Sequence, residues 1–163
     1  MPGSINTTYF LKLDGIAGES ADAKHKEQIE LVSFSWGATQ TARATGGGGG
    51  GAGKAQLKQF EFLMRVNKAS PQVFLAVMSG RHLKEASLSI TRGAAKAALD
   101  WLKIKFSDVL ITSYEQAGDE DGPHELVAFD FAKVELSVTP QTGPGGQVTP
   151  VTAGWDVAKN VKL

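Results

Sequence analysis

The glycine-rich segment contains a spacing that is typical of a nucleotide site. Gly48, followed by Gly53 and Lys54, fits the GxxxxGK pattern of a phosphate-binding loop. That loop also needs a serine or threonine to bind magnesium, and a helix whose N-terminal amides bind the phosphate. Here the next residue is Ala55, and residues 56–66 alternate apolar and polar side chains, which is typical of a strand. The sequence therefore predicts no nucleotide site.

The three histidines do not form a recognisable catalytic or metal-binding motif. His25, His82 and His124 lie outside any HExxH-like spacing, and the chain contains neither a GxSxG nucleophile elbow nor a cysteine. His25 lies between two lysines in a charged segment, so we interpret it as a solvated loop histidine. Asp108 and Asp130 interrupt apolar strands, and each could mark an edge, a bulge or an interface. We therefore predict no catalytic residue, no cofactor and no metal site.

Composition limits the class of protein. The 163 residues suit a single domain, residues 1–163, which can bury a core without disulfides. Lys plus Arg and Asp plus Glu each number 17, and this zero net charge argues against nucleic acid as a partner and permits self-association. The N-terminus does not resemble a signal peptide, and no stretch approaches the roughly 18 apolar residues of a membrane span. We expect a cytoplasmic, soluble protein that does not insert into membranes and that, if exported, does not use the signal-peptide route.

The central strand is predicted over Gln28–Trp36. Its apolar residues alternate, but Ile29 and Leu31 have one parity whereas Val32, Phe34 and Trp36 have the other. A bulge near Leu31–Val32 would correct the phase, because one extra residue exchanges the two faces and bends the strand. With Phe34 and Trp36 in the core, the side chains of Ser33 and Ser35 must face away from it.

A nearly side-chain-free arm follows this strand. It comprises Gly46, Gly47, Gly48, Gly49, Gly50, Gly51, Ala52 and Gly53. Glycine loses the most backbone entropy on folding, so such a run cannot anchor itself. Two interpretations stay open: a flexible hairpin loop, or an arm that becomes ordered only against another subunit.

The remaining pattern predicts strands and one short helix, over about 70–80. Ser70 and Pro71 are typical of a helix start and Gly80 of a helix end, and the apolar stripe of Val73, Phe74, Val77 and Met78 is expected to pack in the core. The acidic residues 119–121 lack the other positions of a calcium loop, so a solvated turn is expected. Several long strands change parity near their middle, which favours strands bent by bulges into a barrel. We predict an all-β fold: a closed barrel of two packed antiparallel sheets, one flanking helix and a long glycine-rich extended loop.

Several motifs together resemble the Hcp family, the haemolysin-coregulated proteins of type VI secretion systems. The matching residues are Tyr9-Phe10-Leu11-Lys12-Leu13-Asp14-Gly15, Gly18-Glu19-Ser20, Asp22, His25, Ile29-Glu30 and Ser33-Phe34-Ser35-Trp36-Gly37. The glycine arm ending in Gly53-Lys54, the Ser70-Pro71 helix and Gly154-Trp155-Asp156 also fall where that family has them. The resemblance covers residues 9–160.

The resemblance implies a function in assembly and export. Members of the family form hexameric rings that stack into a tube inside a contractile sheath, and the tube leaves the cell with a spike at its tip. Effector proteins ride in the ring lumen. On this chain, the resemblance implies that the glycine arm forms an inter-subunit or inter-ring contact and that Ser33 and Ser35 face the lumen. It also implies secretion through the type VI system without a signal peptide.

Two other classes of protein remain as alternatives. A secreted effector enzyme would need a cluster of reactive side chains, which the sequence does not reveal. A monomeric ligand-binding barrel would use the glycine-rich segment as a lid over its ligand. The polar outward faces, which include Ser33 and Ser35, could line a wet channel or be plain solvent surface.

Overall fold

The computed structural model describes residues 6–41, 53–93, 98–140 and 148–163. Within these residues the strands and the helix follow in the order β1 (Thr7–Leu13), β2 (Ile29–Ser35), β3 (Ala38–Thr39), β4 (Gln56–Leu57), β5 (Phe60–Arg65), α1 (Ser70–Ser79), β6 (His82–Arg92), β7 (Leu99–Asp119), β8 (Gly122–Val138), β9 (Val151–Asp156) and β10 (Val161–Lys162). In the same ranges no helix is both long and apolar enough to cross a membrane.

The main sheet closes on itself. Its strands are ordered β10-β9-β8-β5-β2-β1-β6-β7, and β8 also pairs with β7, which completes a six-stranded barrel. Every pairing within it is antiparallel. Strands β9 and β10 extend the sheet beyond β8, whereas β3 and β4 form a separate short hairpin. The prediction of an all-β closed barrel with one short helix is confirmed.

A bulge in β2 helps the sheet to bend. Leu31 pairs with Met64 and Ser33 pairs with Leu63, so Val32 is an extra residue without a partner on β5. The Val32 side chain is 43% exposed, whereas Leu31 before it is buried in the core. The bulge predicted near Leu31–Val32 is therefore confirmed, and one extra residue explains why the apolar parity reverses along the strand.

The two longest strands, β7 and β8, change parity at the same place. Phe106 pairs with Val134 and Val109 pairs with Phe131, and all four side chains contact the core although their parities differ. Between them on β7, Asp108 has a φ of 52°, in the left-handed region that side chains rarely adopt. The predicted parity changes in both strands are confirmed, and Asp108 marks the bend in β7.

Aromatic side chains fill the centre of the barrel. The Phe60 ring on β5 lies 5.0 Å from Phe106 on β7 and 4.9 Å from Phe129 on β8, measured between ring centroids. Phe106 and Phe129 meet edge to face at 5.1 Å. All three side chains are completely buried. Rings from three different strands thus join the walls of the barrel, and aromatic pairs in such geometries add to the free energy gained by burial.

Helix α1 begins and ends as predicted, but its orientation differs from the prediction. Gly80 ends the helix with a φ of 64°. The N-cap residue is Ala69 rather than Ser70, so no side chain caps the helix. The expected core packing of the apolar stripe is wrong for Phe74 and Met78, which are 50% and 69% exposed. Val73 and Ala76 are buried instead. Small side chains on this face let the helix lie close to the barrel, which turns the larger ones outward.

Of two further predictions, the strand over residues 56–66 is interrupted and the acidic turn is present. The strand predicted over residues 56–66 is divided at Lys58, whose amide donates to the carbonyl of Gly37 at 2.8 Å and so leaves the strand ladder. The acidic turn is confirmed: β7 and β8 form a hairpin in which the Asp119 carboxylate accepts a hydrogen bond from the Asp121 amide at 2.8 Å. Gly122, with a φ of 104°, completes this turn.

Candidate functional site

Ser33 and Ser35 lie side by side on the outer face of the barrel, and both are exposed. Ser33 is paired with Leu63 and Ser35 with Glu61 across the β2–β5 ladder, and directly paired residues project to the same face. We call these four residues the outer strip. The prediction that both serines face away from the core is confirmed. Glu61 and Leu63 were missed as site residues, although the alternation along residues 59–66 already placed them on the outward side.

The glycine arm lies almost entirely outside the described residues. Only Gly53 belongs to the described part, so the prediction for Gly46 to Ala52 is not tested by the structure. The base of the arm is the β3–β4 hairpin, in which Ala38 pairs with Leu57 and Thr39 with Gln56. A side chain at Gly53 would approach Gln40 and Thr41 no closer than 3.6 Å, an ordinary contact.

An apolar pocket of about 370 Å³ opens beside this hairpin. It is lined by Trp36, Ala38, Ala55, Leu57, Val134, Leu136, Ala153, Gly154 and Trp155. Two half-buried tryptophans come from opposite ends of the chain, and both pack on the barrel core. Gly154 packs closely against the C-terminal residue, because a Cβ there would lie 2.8 Å from Leu163 Cδ1 and would displace that side chain. The sequence did not predict this pocket, since its walls come from four separate segments.

A second apolar surface lies on the outer side of α1. Phe74, Leu75 and Met78 are each at least half exposed. The Phe74 ring meets the Tyr114 ring of β7 with centroids 5.8 Å apart. We call these three residues the helix face. Contiguous exposed apolar side chains of this kind are typical of surfaces that contact other molecules.

The interpretation of His25 as a solvated histidine is wrong, because its side chain is only 4% exposed. Its Nδ1 lies 2.8 Å from Asp22 Oδ1, and its Nε2 lies 3.1 Å from Asp100 Oδ2 on β7. The imidazole stacks on Phe10 with centroids 4.3 Å apart and planes inclined by 3°. The hydrogen bond from His25 lowers the pKa of Asp22 below its usual value, and backbone amides add to this effect. Sequence alone could not reveal the cluster, since Asp100 follows His25 by 75 residues.

The other two histidines lie apart from this cluster. His82 is exposed and contacts the exposed carboxylate of Asp108 at 2.9 Å, whereas His124 Nδ1 lies 3.6 Å from Asp119. Within residues 6–41, 53–93, 98–140 and 148–163, no group of three or more histidine, cysteine or acidic side chains is arranged to hold a metal ion. Three surfaces in this part of the chain are candidates for binding: the outer strip, the apolar pocket and the helix face.

Comparison with known proteins gives matches along nearly the whole chain. The family model described as "Type VI secretion system effector, Hcp" matches residues 10–138. Protein hcp1 of Pseudomonas aeruginosa is 34% identical over 156 residues, which cover 94% of this chain and 96% of that protein. The crystal structure of Hcp1 from Salmonella typhimurium superimposes with a TM-score of 0.80 at 30% identity, covering 96% of this chain and 99% of that one. A type VI secretion system effector from Yersinia pestis gives a TM-score of 0.73 at 33% identity, with coverages of 91% and 99%.

The chain forms a small closed antiparallel barrel that superimposes on these structures. Its class is therefore that of type VI secretion system components. The chain belongs to the Hcp family. The resemblance drawn from the motifs of residues 9–37 and from Gly154-Trp155-Asp156 is thereby confirmed.

Proposed function

We propose that copies of this chain assemble into hexameric rings, which stack into the secreted inner tube of a type VI secretion system. Membership of the Hcp family supports this proposal. The observation that carries it is the apolar pocket, whose lining is almost wholly apolar and includes two tryptophans, yet which is open to solvent on a single barrel. Large apolar patches on a lone subunit cost free energy until a partner covers them.

The pocket and the helix face suit a ring built from identical contacts. They are formed by different residues of one chain, so a head-to-tail contact can place one surface of each copy against a different surface of the next. Repetition of such a heterologous contact closes a ring if the rotation allows it. The zero net charge of the chain supports this proposal, since copies do not repel one another strongly.

The outer strip is proposed as part of the lumen wall. Ser33 and Ser35 are short and uncharged, and Glu61 lies beside Ser35. Three of the four side chains of the strip offer hydrogen bonds and only Leu63 is apolar, so the surface would shelter effector proteins inside the ring and still release them. A bulky charged residue at Ser35 should leave ring assembly intact but block cargo binding, whereas unaltered cargo binding by Ser35→Arg would contradict the assignment.

The glycine arm, Gly46 to Gly53, is proposed as an inter-subunit or inter-ring contact. A segment without side chains can lie flat against the strand edge of a neighbour. Its ordering costs backbone entropy, so the contact requires many copies. If deletion of residues 46–51 left ring and stacking equilibria unchanged in analytical ultracentrifugation, this assignment would be wrong.

The other partners of the proposed tube are the sheath around it and the spike at its tip. The chain would be made in the cytoplasm and leave through the type VI system. In this function it acts as a structural protein and carrier rather than as an enzyme, and it needs neither nucleic acid nor membrane insertion. The family description and the secretion-system relatives support the export route through a type VI system.

A matched pair of charged variants tests the role of the pocket. Leu57 lines the pocket, whereas its neighbour Gln56 is exposed on the same short strand. Native mass spectrometry of Leu57→Glu should give monomers of about 17.2 kDa, because a carboxylate would be buried without a partner. Gln56→Glu, which adds the same charge, should still give hexamers. If both variants formed hexamers, the pocket would not be a subunit contact.

The pocket also favours a second candidate function, that of a monomeric barrel binding a small apolar ligand. Its volume of about 370 Å³ falls in the range of small-molecule sites. The same mass spectra distinguish the two functions. A ligand-binding barrel would give a monomer for the unmodified chain as well as for both variants.

A further inference from the structure

The connection between β1 and β2 is attached to the rest of the barrel through the buried side chain of His25, through Lys24, and through Glu19, whose carboxylate accepts the Lys68 amide at 3.1 Å. Residues 18–28 form a compact loop in which the Gly18 amide donates to the Glu27 carbonyl at 2.7 Å and the Ser20 amide to the Gln28 carbonyl at 3.0 Å. The loop covers Phe10 on the outer face of β1, and His25 lies flat on that ring. From there the imidazole reaches Asp100 on β7, beyond β6 in the sheet order.

The two hydrogen bonds of His25 require a proton on each ring nitrogen. A neutral imidazole has one donor nitrogen and one acceptor nitrogen, whereas a carboxylate only accepts. Asp22 Oδ1 already accepts the backbone amides of Lys24 and His25, at 3.0 and 3.1 Å. If His25 lost one proton, a lone pair on nitrogen would face the oxygen of Asp22 or Asp100. Only the imidazolium satisfies both carboxylates at once.

The charged groups around His25 come from the loop itself and from strands β2 and β7, where Glu30 of β2 pairs with Phe10 and lines a pocket together with Asp22. The loop itself contributes Asp22 and Lys24, whose Nζ donates to the Ala98 carbonyl at 3.1 Å. Strand β7 contributes Asp100 and Lys103, which lie 3.6 Å apart. The groups facing the site from β1 and β6 are uncharged: Phe10 and the hydroxyls of Ser87 and Ser89. Glu135 and Lys105 lie on the rim of the adjoining pocket.

We propose that residues 18–28 form a pH-sensitive clasp, which is closed while the His25 imidazolium joins Asp22 to Asp100 and which loosens when the ring loses a proton. The stabilisation is therefore present while both ring nitrogens carry a proton, and it is lost when a rise in pH removes one of them. Opening would uncover the apolar face of Phe10. The clasp is a property of the single barrel and does not depend on ring assembly.

Hydrogen exchange of the intact protein, corrected for intrinsic rates, tests the clasp. Between about pH 6 and about pH 9, protection of the loop amides of Gly18, Ser20 and Glu27 should fall about tenfold, the equivalent of one lost charge-assisted hydrogen bond. Protection in the barrel strands should not change. His25→Gln should leave the loop weakly protected at every pH. His82→Gln serves as the matched control, because it removes an exposed histidine–aspartate pair that is 61% and 62% exposed, and it should behave like the unmodified chain.

Direct observation of the His25 imidazole completes the test, and it needs no variant. Nitrogen-15 spectra of the unmodified protein should show both ring nitrogens of His25 protonated at the acid end, with one proton lost over the same pH range in which loop protection falls. The proposal would be overturned if loop protection did not depend on pH, or if His25→Gln retained the same dependence. It would also fail if His25 lost its proton in a different pH range from the loop transition. None of these outcomes bears on whether the chain forms rings.

Discussion

The hydroxyl of Ser70, in the first turn of α1, donates a hydrogen bond to the buried carboxylate of Glu125 on β8. This carboxylate is completely buried, and it also accepts hydrogen bonds from the Tyr114 hydroxyl and from Gln116 Nε2, the latter at 3.4 Å. A buried carboxylate is tolerated only where its oxygens are hydrogen-bonded, and the positive end of a helix dipole favours it further. The network therefore fastens the helix to the barrel at a fixed point.

Removing this carboxylate should destabilise the protein. Glu125→Leu leaves the hydroxyls of Ser70 and Tyr114 without an acceptor, and we expect a loss of about 1–3 kcal/mol in the free energy of unfolding. Glu125→Gln keeps one acceptor oxygen and should cost less. Urea denaturation measures both, with Glu120→Gln in the exposed turn as the control. Equal stability of Glu125→Leu and the control would contradict the anchoring role.

Truncation of two phenylalanines should reduce stability by very different amounts. Phe106 is completely buried between aromatic rings, so Phe106→Ala should cost about 3–5 kcal/mol of unfolding free energy because it leaves a cavity. Phe74 is half exposed on the helix face, and Phe74→Ala should cost less than about 1 kcal/mol in the monomeric unit. Denaturant unfolding under conditions that dissociate any assembly compares them. A large loss for Phe74→Ala would mean that the helix face is part of the core.

The extra residue Val32 should affect stability because it sets the register of β2, and its side chain should contribute little. Val32→Ala shortens an exposed side chain and should change the free energy of unfolding by less than about 1 kcal/mol. Deletion of Val32 removes the extra residue, so one half of β2 would turn its apolar side chains to solvent. We expect the deletion variant to lose cooperative thermal unfolding, as measured by circular dichroism. Cooperative unfolding of the deletion variant near the temperature of Val32→Ala would argue against the bulge.

Stability should fall in acid partly because of Asp22. Its pKa is lowered in the folded protein, chiefly by the hydrogen bond from His25. A group with a lowered folded pKa stabilises the protein above its ordinary pKa, and this contribution is lost as the pH falls through the folded value. The difference in stability between the unmodified chain and Asp22→Asn should therefore be full at neutral pH and shrink below about pH 4. Asp121→Asn, in the exposed turn, should show no comparable pH dependence in the same denaturation series.

Local patterns predicted the barrel because the bulges and bends of its strands reverse the apolar parity of consecutive residues. The reversed parity around Leu31 and Val32 located the bulge, and similar reversals located the bends of β7 and β8. Helix α1 was predicted for the same reason, since Pro71 and Gly80 define its ends locally. Its orientation was not predictable, because the stripe from Val73 to Met78 is wide enough to face the barrel on either side.

The site was less predictable than the fold because it depends on residues that are distant in sequence. Ser33 and Ser35 could be placed outward from the phase of one strand. His25 could not be recognised as buried, because Phe10 and Asp100 reach it from two other strands. The walls of the apolar pocket likewise come together only when β3 and β4 meet β8 and β9.

Sedimentation velocity of the purified, unmodified chain over a wide concentration range tests the central claim most directly. The account predicts a dominant species with six times the 17.2 kDa mass of one chain, together with larger stacked species at high concentration. A single species of 17.2 kDa at every concentration would contradict the proposal that this barrel is a subunit of a ring.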